Sequence, residues 1–328
     1  MTYDFSSTQF LEIGITQVPF GMYPLLGNSW WFQLPYYLGY EDDYDTGVKY
    51  SWVKGRWTYD VAYFLVAEPR GVSDLSYGSF ASARYSYDII PEDGYNGNKE
   101  RNQVNFRVRY QEPDKLQAGF SGEAGAVYNS NADKSTLRYA LALHAEIPLS
   151  EKIDLKLQAI HYDHPKILDD SGVEEVDYVN VGAYGSGTYQ MAASANVWSI
   201  GMSYFLEVNW FPIESFTFYN DYSFMNKNGA ISIEGLDEPY VNSHHNILGF
   251  AITAGNVISY FDIAAGVNQP WLSDSFGGNA LSSGRGESPY VPPGEDIDGD
   301  DSNGQQVNPL DTTPPLNIRF NINVGYYF

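Results

Sequence analysis

The chain has 328 residues and no cysteine, which excludes disulfide staples and thiolate-metal sites. Lys and Arg total 18 against 41 Asp and Glu, and the net charge of -23 argues against a nucleic-acid partner, whose phosphates it would repel. Aromatic residues make up 16% of the chain, with 28 Tyr and 18 Phe, a composition suited to surfaces that are apolar along one side and wet at the end.

The opening Met1–Phe10 has no basic stretch leading into an apolar run, so it is not a signal peptide. From there the chain reads as strands. They are expected near 8–19, 44–54, 57–68, 102–112, 115–129, 134–147, 152–163, 197–210, 213–226, 244–254, 257–269 and 315–328. Trp57, Tyr59, Val61, Tyr63 and Leu65 alternate with Thr58, Asp60 and Ala62. Val104, Phe106, Val108 and Tyr110 alternate with Gln103, Asn105, Arg107 and Arg109. Leu137, Tyr139, Leu141, Leu143, Ala145 and Ile147 alternate with Arg138, Ala140, Ala142, His144 and Glu146. The same period of two carries Trp198, Ile200, Met202, Tyr204, Leu206 and Val208. It is strictest at the end, where Leu316, Ile318, Phe320, Ile322, Val324, Tyr326 and Phe328 alternate with Asn317, Arg319, Asn321, Asn323, Gly325 and Tyr327.

The apolar faces are aromatic and the polar faces carry many small or uncharged residues. That pattern suits lipid outside and a watery lumen inside. The apolar stretch Ile247–Val267 is broken by Gly255-Asn256 and reads as two tilted strands rather than one helix. Short connections, such as Lys54–Arg56, Glu112–Asp114, Pro148–Ser150, Phe211-Pro212 and Gly255-Asn256, alternate with long ones at 20–43, 69–101, 164–196, 227–243 and 270–314. Only 130–133 is brief where a long loop is due. Barrels of this kind put short turns on the periplasmic side and long loops outside. Segments 79–90 and 176–184 look extended but, by this alternation, are loop hairpins. The fold class is therefore all-β, a transmembrane antiparallel β-barrel of about twelve strands forming one domain over 1–328.

Gln17–Gly21, Trp31–Tyr37, Glu41–Asp45 and the closing Arg319–Phe328 resemble segments of trimeric Gram-negative porins, nearest the branch grouped as phosphate-selective. Gly185–Gly187 and the stretch around Pro270–Leu272 are similar as well. The resemblance implies a sixteen-stranded barrel whose third loop folds inward, here 20–43. On that reading 8–19 is the fifth strand, and four strands and a leader precede this sequence. It also implies a homotrimer in the Gram-negative outer membrane, with its lipid, lipopolysaccharide and the barrel-assembly machinery as partners. Phosphate selectivity needs a ladder of cationic groups, and 18 Lys and Arg against 41 acids argue against it.

The candidate site follows from this. Glu41, Asp42, Asp43 and Asp45 form an acidic rim at the end of the inward loop, a charge and size filter. Lys49, Arg107, Arg109, Arg138, Lys156 and Arg319 lie on polar strand faces. They form either a basic wall opposite the loop or lumen charges paired to carboxylates such as Glu146 or Asp154. Val324, Tyr326 and Phe328 form the terminal assembly signal. Trp52, Trp57, Trp198 and Trp210, with Tyr326 and Phe328, fit interface girdles.

The loop 270–314 is long, acidic and external. Its Asp296, Asp298 and Asp300 are spaced like a calcium loop, but Asp301 and Val307 stand where an EF-hand needs Gly and Glu. His244 and His245 fall on opposite strand faces and cannot share an ion, and His161 and His164 straddle a strand end. No cofactor or enzyme motif is present. The function this sequence points to is passive diffusion of small hydrophilic solutes and ions with a weak cation preference. A lipase-like barrel enzyme and a soluble all-β carbohydrate-binding module are the competing readings.

Overall fold

The computed structural model describes residues 1–22, 25–69, 85–91, 96–183, 188–233, 236–269, 272 and 316–327. Thirteen strands form one sheet in which every neighbouring pair is antiparallel. In chain order the strands of the whole molecule are β1 (Thr2–Ser6), β2 (Gln9–Gln17), β3 (Tyr44–Lys54), β4 (Trp57–Ala67), β5 (Asp88–Ile89), β6 (Asn98–Glu112), β7 (Leu116–Asn129), β8 (Lys134–Ser150), β9 (Ile153–Asp163), β10 (Tyr178–Gly182), β11 (Tyr189–Ala192), β12 (Ser194–Trp210), β13 (Ile213–Asn228), β14 (Ala230–Ile233), β15 (Leu236–Pro239), β16 (Ser243–Ala254), β17 (Val257–Val267) and β18 (Asn317–Tyr326). The large sheet runs β1-β2-β3-β4-β6-β7-β8-β9-β12-β13-β16-β17-β18, so β1 and β18 are the ends of the ladder. All the alternating segments are strands of it. The added member is β1, whose five residues are too few to show a period.

Tight turns alternate from strand to strand with longer connections, of which 130–133 alone is brief. Ser7-Thr8, Gly55-Arg56, Pro113–Lys115, Glu151-Lys152, Phe211-Pro212 and Gly255-Asn256 close one end. Gly55 and Gly255, at φ of 61° and 58°, supply the left-handed backbone that a two-residue hairpin turn requires. The other end carries the connections 18–43, 68–97, 130–133, 164–193, 229–242 and 268–316. The extended pieces inside three of these connections do not join the wall. β5, β10 and β11 make a separate three-stranded sheet, and β14 pairs with β15.

The wall is inside-out relative to a water-soluble sheet. Val61, Tyr63, Leu65, Val104, Phe106, Leu137, Leu141, Leu143, Trp198, Ile200 and Met202 are exposed on the convex face. Aromatic neighbours pair across that face, as Trp198 with Phe224 at 5.7 Å and Phe250 with Phe261 at 5.1 Å. Asp60, Asn105, Arg107, Ser121, Glu123, Arg138, His144, Gln158, Asp221, Ser223 and Asp262 are buried on the concave face. Such a contiguous apolar exterior is untenable in water and matches hydrocarbon. No helix among the described residues is long and apolar enough to cross a membrane; the crossing elements of a barrel are its strands.

The interior differs from the watery lumen expected. Its loop-side half holds an apolar core. Inward-facing Phe64, Ala140, Ala142, Ile160, Tyr162, Ala195, Val197 and Met225 pack with Leu34, Tyr36, Tyr37, Leu38 and Tyr40 of the 18–43 connection. Val179, Val181, Tyr189 and Met191 of the small sheet complete it. Elsewhere the concave wall is polar, and part of it meets the 18–43 connection through hydrogen bonds rather than apolar packing.

Candidate functional site

The connection 18–43 leaves β2 and returns to β3 with its ends pinched together, Val18 N–H donating to Asp43 O at 2.8 Å. Between those ends it crosses the enclosed space. Gly21 N–H donates to Ser121 Oγ on β7 at 2.9 Å, and Met22 N–H to Gln158 Oε1 on β9 at 2.7 Å. Asn28 clasps Asp221 on β13 with its backbone N–H and its side-chain amide, both at 2.6 Å. Gln33 accepts from Ser223 Oγ on β13, and the Tyr37 ring lies 6.0 Å from that of His245 on β16. One segment thus spans from β2 to inner faces on β7, β9, β13 and β16, which is possible only because the sheet curls around it.

Local chemistry shapes the segment. Pro35 pre-sets the first turn of a single-turn helix, α1 (Leu34–Tyr37), whose four residues are all buried. Phe32 stacks on Tyr36 at 3.9 Å, and Tyr36 and Tyr37 each meet Tyr87 edge-on. Gly39, at φ 76°, follows the helix. A Cβ there would lie 2.4 Å from Tyr87 O, so only glycine lets the crossing segment approach the 85–91 backbone. Tyr189 of the small sheet donates its hydroxyl to Tyr37 O.

The four acids at the end of this segment take three different positions. Glu41 turns back to accept from Leu26 N–H at 2.5 Å. Burial pushes its carboxyl up to about 7, against the opposing pull of that N–H and of Lys156. Asp42 is only half-buried and accepts from Gln17 Nε2 at 3.0 Å and Tyr85 OH at 2.6 Å. Asp43 and Asp45 are buried and converge with Asp88 of β5, with one carboxylate oxygen from each within 4.8 Å of the others. Burial, and then the charges of Asp45 and Asp88, hold the Asp43 carboxyl well above its ordinary range. Sequence reasoning placed the rim acids on one loop and missed Asp88. It lies far along the chain, in a segment with no periodicity to announce it.

The six basic residues do not form a bare wall. Lys49 Nζ sits 2.7 Å from Glu12 and donates to Gln17 O at 3.1 Å. Arg107 Nε pairs with Asp60 at 3.0 Å. Arg138 lies between Glu100 and Glu123, the latter at 2.8 Å. Arg319 Nε donates to Leu272 O at 3.0 Å. Lys156 is half-buried directly across the ladder from Glu146, and Arg109 is half-buried across from Thr58 and Gly119. Of the two carboxylates anticipated as partners, Glu146 stands opposite a lysine. The ion pairs themselves are made by Glu12, Asp60, Glu100 and Glu123.

Val324 and Tyr326 are exposed on the convex face of β18. Phe328 and the Asp296, Asp298, Asp300 run lie outside the described residues, as does nearly all of 270–314. His164 is buried, its Nδ1 2.8 Å from Ala193 O, and burial followed by the Arg138 charge pushes it down to about 3. His161 bonds Asn196, His244 bonds Tyr222 and His245 bonds Gln269, so none of these rings meets a serine hydroxyl or a carboxylate.

No protein-family model matches the chain, and no curated protein does either. Solved structures that it resembles are outer-membrane channels and porins. The outer-membrane channel DcaP of Acinetobacter baumannii aligns at 9% identity and a TM-score of 0.45, covering 79% of this chain and 65% of that one. The loop-deleted OmpT of Vibrio cholerae aligns at 13% identity and 0.47, covering 80% and 71%. The anion-selective porin of Comamonas acidovorans aligns at 13% identity and 0.43, covering 79% and 64%. The chain thus spans just under two thirds of the length of DcaP and of the Comamonas porin. These likenesses assign no residue; the wall rests on the register described above.

Proposed function

We propose that this protein is a Gram-negative outer-membrane porin, a non-enzymatic diffusion channel for small hydrophilic solutes and ions, with segment 18–43 as its constriction. One observation carries the reading. An inside-out antiparallel wall, apolar outside and charged within, has a single connection hydrogen-bonded across its interior to strands β7, β9 and β13. A soluble binding module would not expose Leu143, Phe106 and Ile200 on its outer rows.

Weak cation preference belongs to the same proposal. Lys49, Arg107 and Arg138 are each matched by carboxylates, so their charge is spent locally. Asp42, half-exposed at the end of the crossing segment, is then the acid best placed to act on ions that pass. The same pairing takes three of the six basic wall residues out of any cationic ladder for phosphate. A homotrimer, contact with lipopolysaccharide and insertion by the barrel-assembly machinery through Val324, Tyr326 and Phe328 complete the proposal.

The test is reconstitution into liposomes, followed by swelling in iso-osmotic sugars of increasing size. Swelling with small sugars that falls away for larger ones is the expected result. Liposomes that never swell, although the protein is inserted and folded, would remove the diffusion-channel reading.

A further inference from the structure

We propose that Trp30, Tyr260 and Tyr327 form a stacking site for small organic ammonium cations, set in the interior on the turn side of the crossing segment. The site rests on the channel reading above for its access to solute, and three features carry it.

The first is placement. Exposed aromatic rings on the convex face meet lipid, but these three lie on the other side of the wall. Tyr260 on β17 shares the inward face of Asp262, with Ala251 and Asn323 opposite it in the ladder. The Tyr327 ring lies over Gly325, where a Cβ would come within 3.0 Å of it, so it too covers the concave face. Its backbone N–H donates to Asn256 O at 2.8 Å, which fixes it at the turn side. Trp30 belongs to the crossing segment, next to Trp31, which packs against the inner cluster of Tyr219, Ile247 and Ala264.

The second is orientation. The Tyr260 hydroxyl meets both the Trp30 indole and the Tyr327 hydroxyl in side-chain hydrogen bonds. One strand residue thus holds a ring from the crossing segment and a ring from the end of the chain's last strand. Phe32 braces Trp30 edge-on, with ring centres 6.0 Å apart. The polar edges of the three rings are engaged while much of their surface stays open: Trp30 is 47% and Tyr327 43% exposed, and Tyr260 is half-buried. Aromatic rings held by their polar edges and left uncovered on a water-facing side mark contact with a ligand that has an apolar face.

The third is charge. Asp262 lies two residues from Tyr260 on the same inward face, and its charge acts on the Tyr260 hydroxyl. It accepts from Tyr219 OH and from Asn321 Nδ2, both neutral, and has no ion-pair partner among the described residues. The basic residue of β17 and β18, Arg319, stands opposite Ala264, further toward the loop side, and donates from Nε to Leu272 O. A negative charge beside uncovered rings favours a cation whose charge is spread over methyl groups, because the ring quadrupole and the carboxylate then attract it together. A carboxylate or phosphate solute would be repelled by Asp262, and a neutral sugar would gain nothing from it.

The probes are choline and its uncharged carbon analogue, dimethylbutanol, titrated by calorimetry into the folded protein in a polyoxyethylene detergent, where binding needs no conducting pore. Choline should bind, and the analogue should not compete with it. In planar bilayers choline should interrupt the potassium current in brief blocks. Trp30→Leu and Tyr327→Leu should each weaken choline binding about two- to fivefold, the size of one exposed cation–π contact. Trp30→Phe should lose less than Trp30→Leu, and Trp57→Leu on the convex face should lose nothing. Both target residues are partly exposed, so the variants should fold, which heat-modifiable gel migration checks. The proposal is overturned if choline does not bind, if dimethylbutanol binds as well as choline, or if the Trp30→Leu/Tyr327→Leu double variant binds as tightly as the parent. Binding of glucose in place of choline would overturn it in favour of a neutral sugar site. A protein that conducts but does not bind choline loses this site and keeps the channel; one that binds choline and never conducts keeps the site and loses the channel.

Discussion

Arg138→Met tests whether the interior charges are matched as the ion pairs indicate. The Arg138 guanidinium is 4% exposed and is held between Glu100 and Glu123, both buried. Methionine fills similar space but leaves two carboxylates facing each other without a cation. Removing one partner of a buried pair costs about 3–5 kcal/mol, because the remaining charge stays desolvated. That is roughly two to more than three powers of ten in the folding equilibrium. The assay is urea unfolding of the lipid-reconstituted protein, followed by tryptophan fluorescence. The companion variant Arg138→Met with Glu100→Gln and Glu123→Gln should recover most of the loss, since a whole buried ion set can be replaced by neutral groups at little cost. A loss below about 1 kcal/mol for the single variant, the value of an exposed pair, would show that water reaches Arg138. The packed loop-side interior would then be wrong.

Three further outcomes follow from individual residues. Glu41 has its folded carboxyl raised from 4.5 to about 7, so its contribution is full below about 4.5 and is lost as pH rises through 7. Glu41→Gln keeps an acceptor for Leu26 N–H and should remove up to about 3 kcal/mol of pH-dependent destabilisation between those limits, measured by urea unfolding at several pH values. Gly39→Ala places a methyl 2.4 Å from Tyr87 O in a left-handed backbone; it should loosen the contact between the crossing segment and 85–91, seen as faster hydrogen exchange at Tyr36–Tyr40. Leu143→Arg puts a charge on a convex-face residue that is 61% exposed and should cost about 2–4 kcal/mol of membrane stability near the midplane, whereas the same charge in place of inward Ser121 should not act through lipid. Equal costs in detergent and in lipid for Leu143→Arg would refute the convex-face assignment.

The wall was legible because a membrane barrel imposes one rule on every strand. Asn317 to Tyr326 alternates without a break, since each outward residue meets an apolar exterior and each inward one a polar interior. The packed interior was harder to read, although its trace is in the same strands. Ala62 to Ala67, Ala140 to Leu143 and Ile160 to Tyr162 have apolar or aromatic residues at inward positions. Of these, Ala62, Phe64, Ala140, Ala142, Ile160 and Tyr162 belong to the same buried cluster as α1 and the small sheet. Alternation that lapses into apolar on both faces was therefore the available signal for a filled interior. The carboxylate triad left no comparable trace. Asp43 and Asp45 look like part of an exposed acidic run, and Asp88 joins them only because β5 folds back over the crossing segment. Partner choice was equally hidden: Arg138 meets Glu123 across β7 and β8 two positions out of direct register, where Ala140 is the residue opposite Glu123.

The most direct measurement of the central claim is planar-bilayer conductance of the protein beside a variant in which residues 25–38 are replaced by a short Gly-Ser bridge. The parent should form ohmic, ion-permeable channels. In a salt gradient its reversal potential should show weak cation preference, shifting toward anions in Asp42→Asn. The shortened variant should conduct severalfold more, because the part of the segment bonded to β13 through Asn28 and Gln33 no longer occupies the interior. Folded, inserted protein that carries no current in either form would contradict the channel itself, and equal conductance in the two forms would contradict the role of segment 18–43 as its constriction.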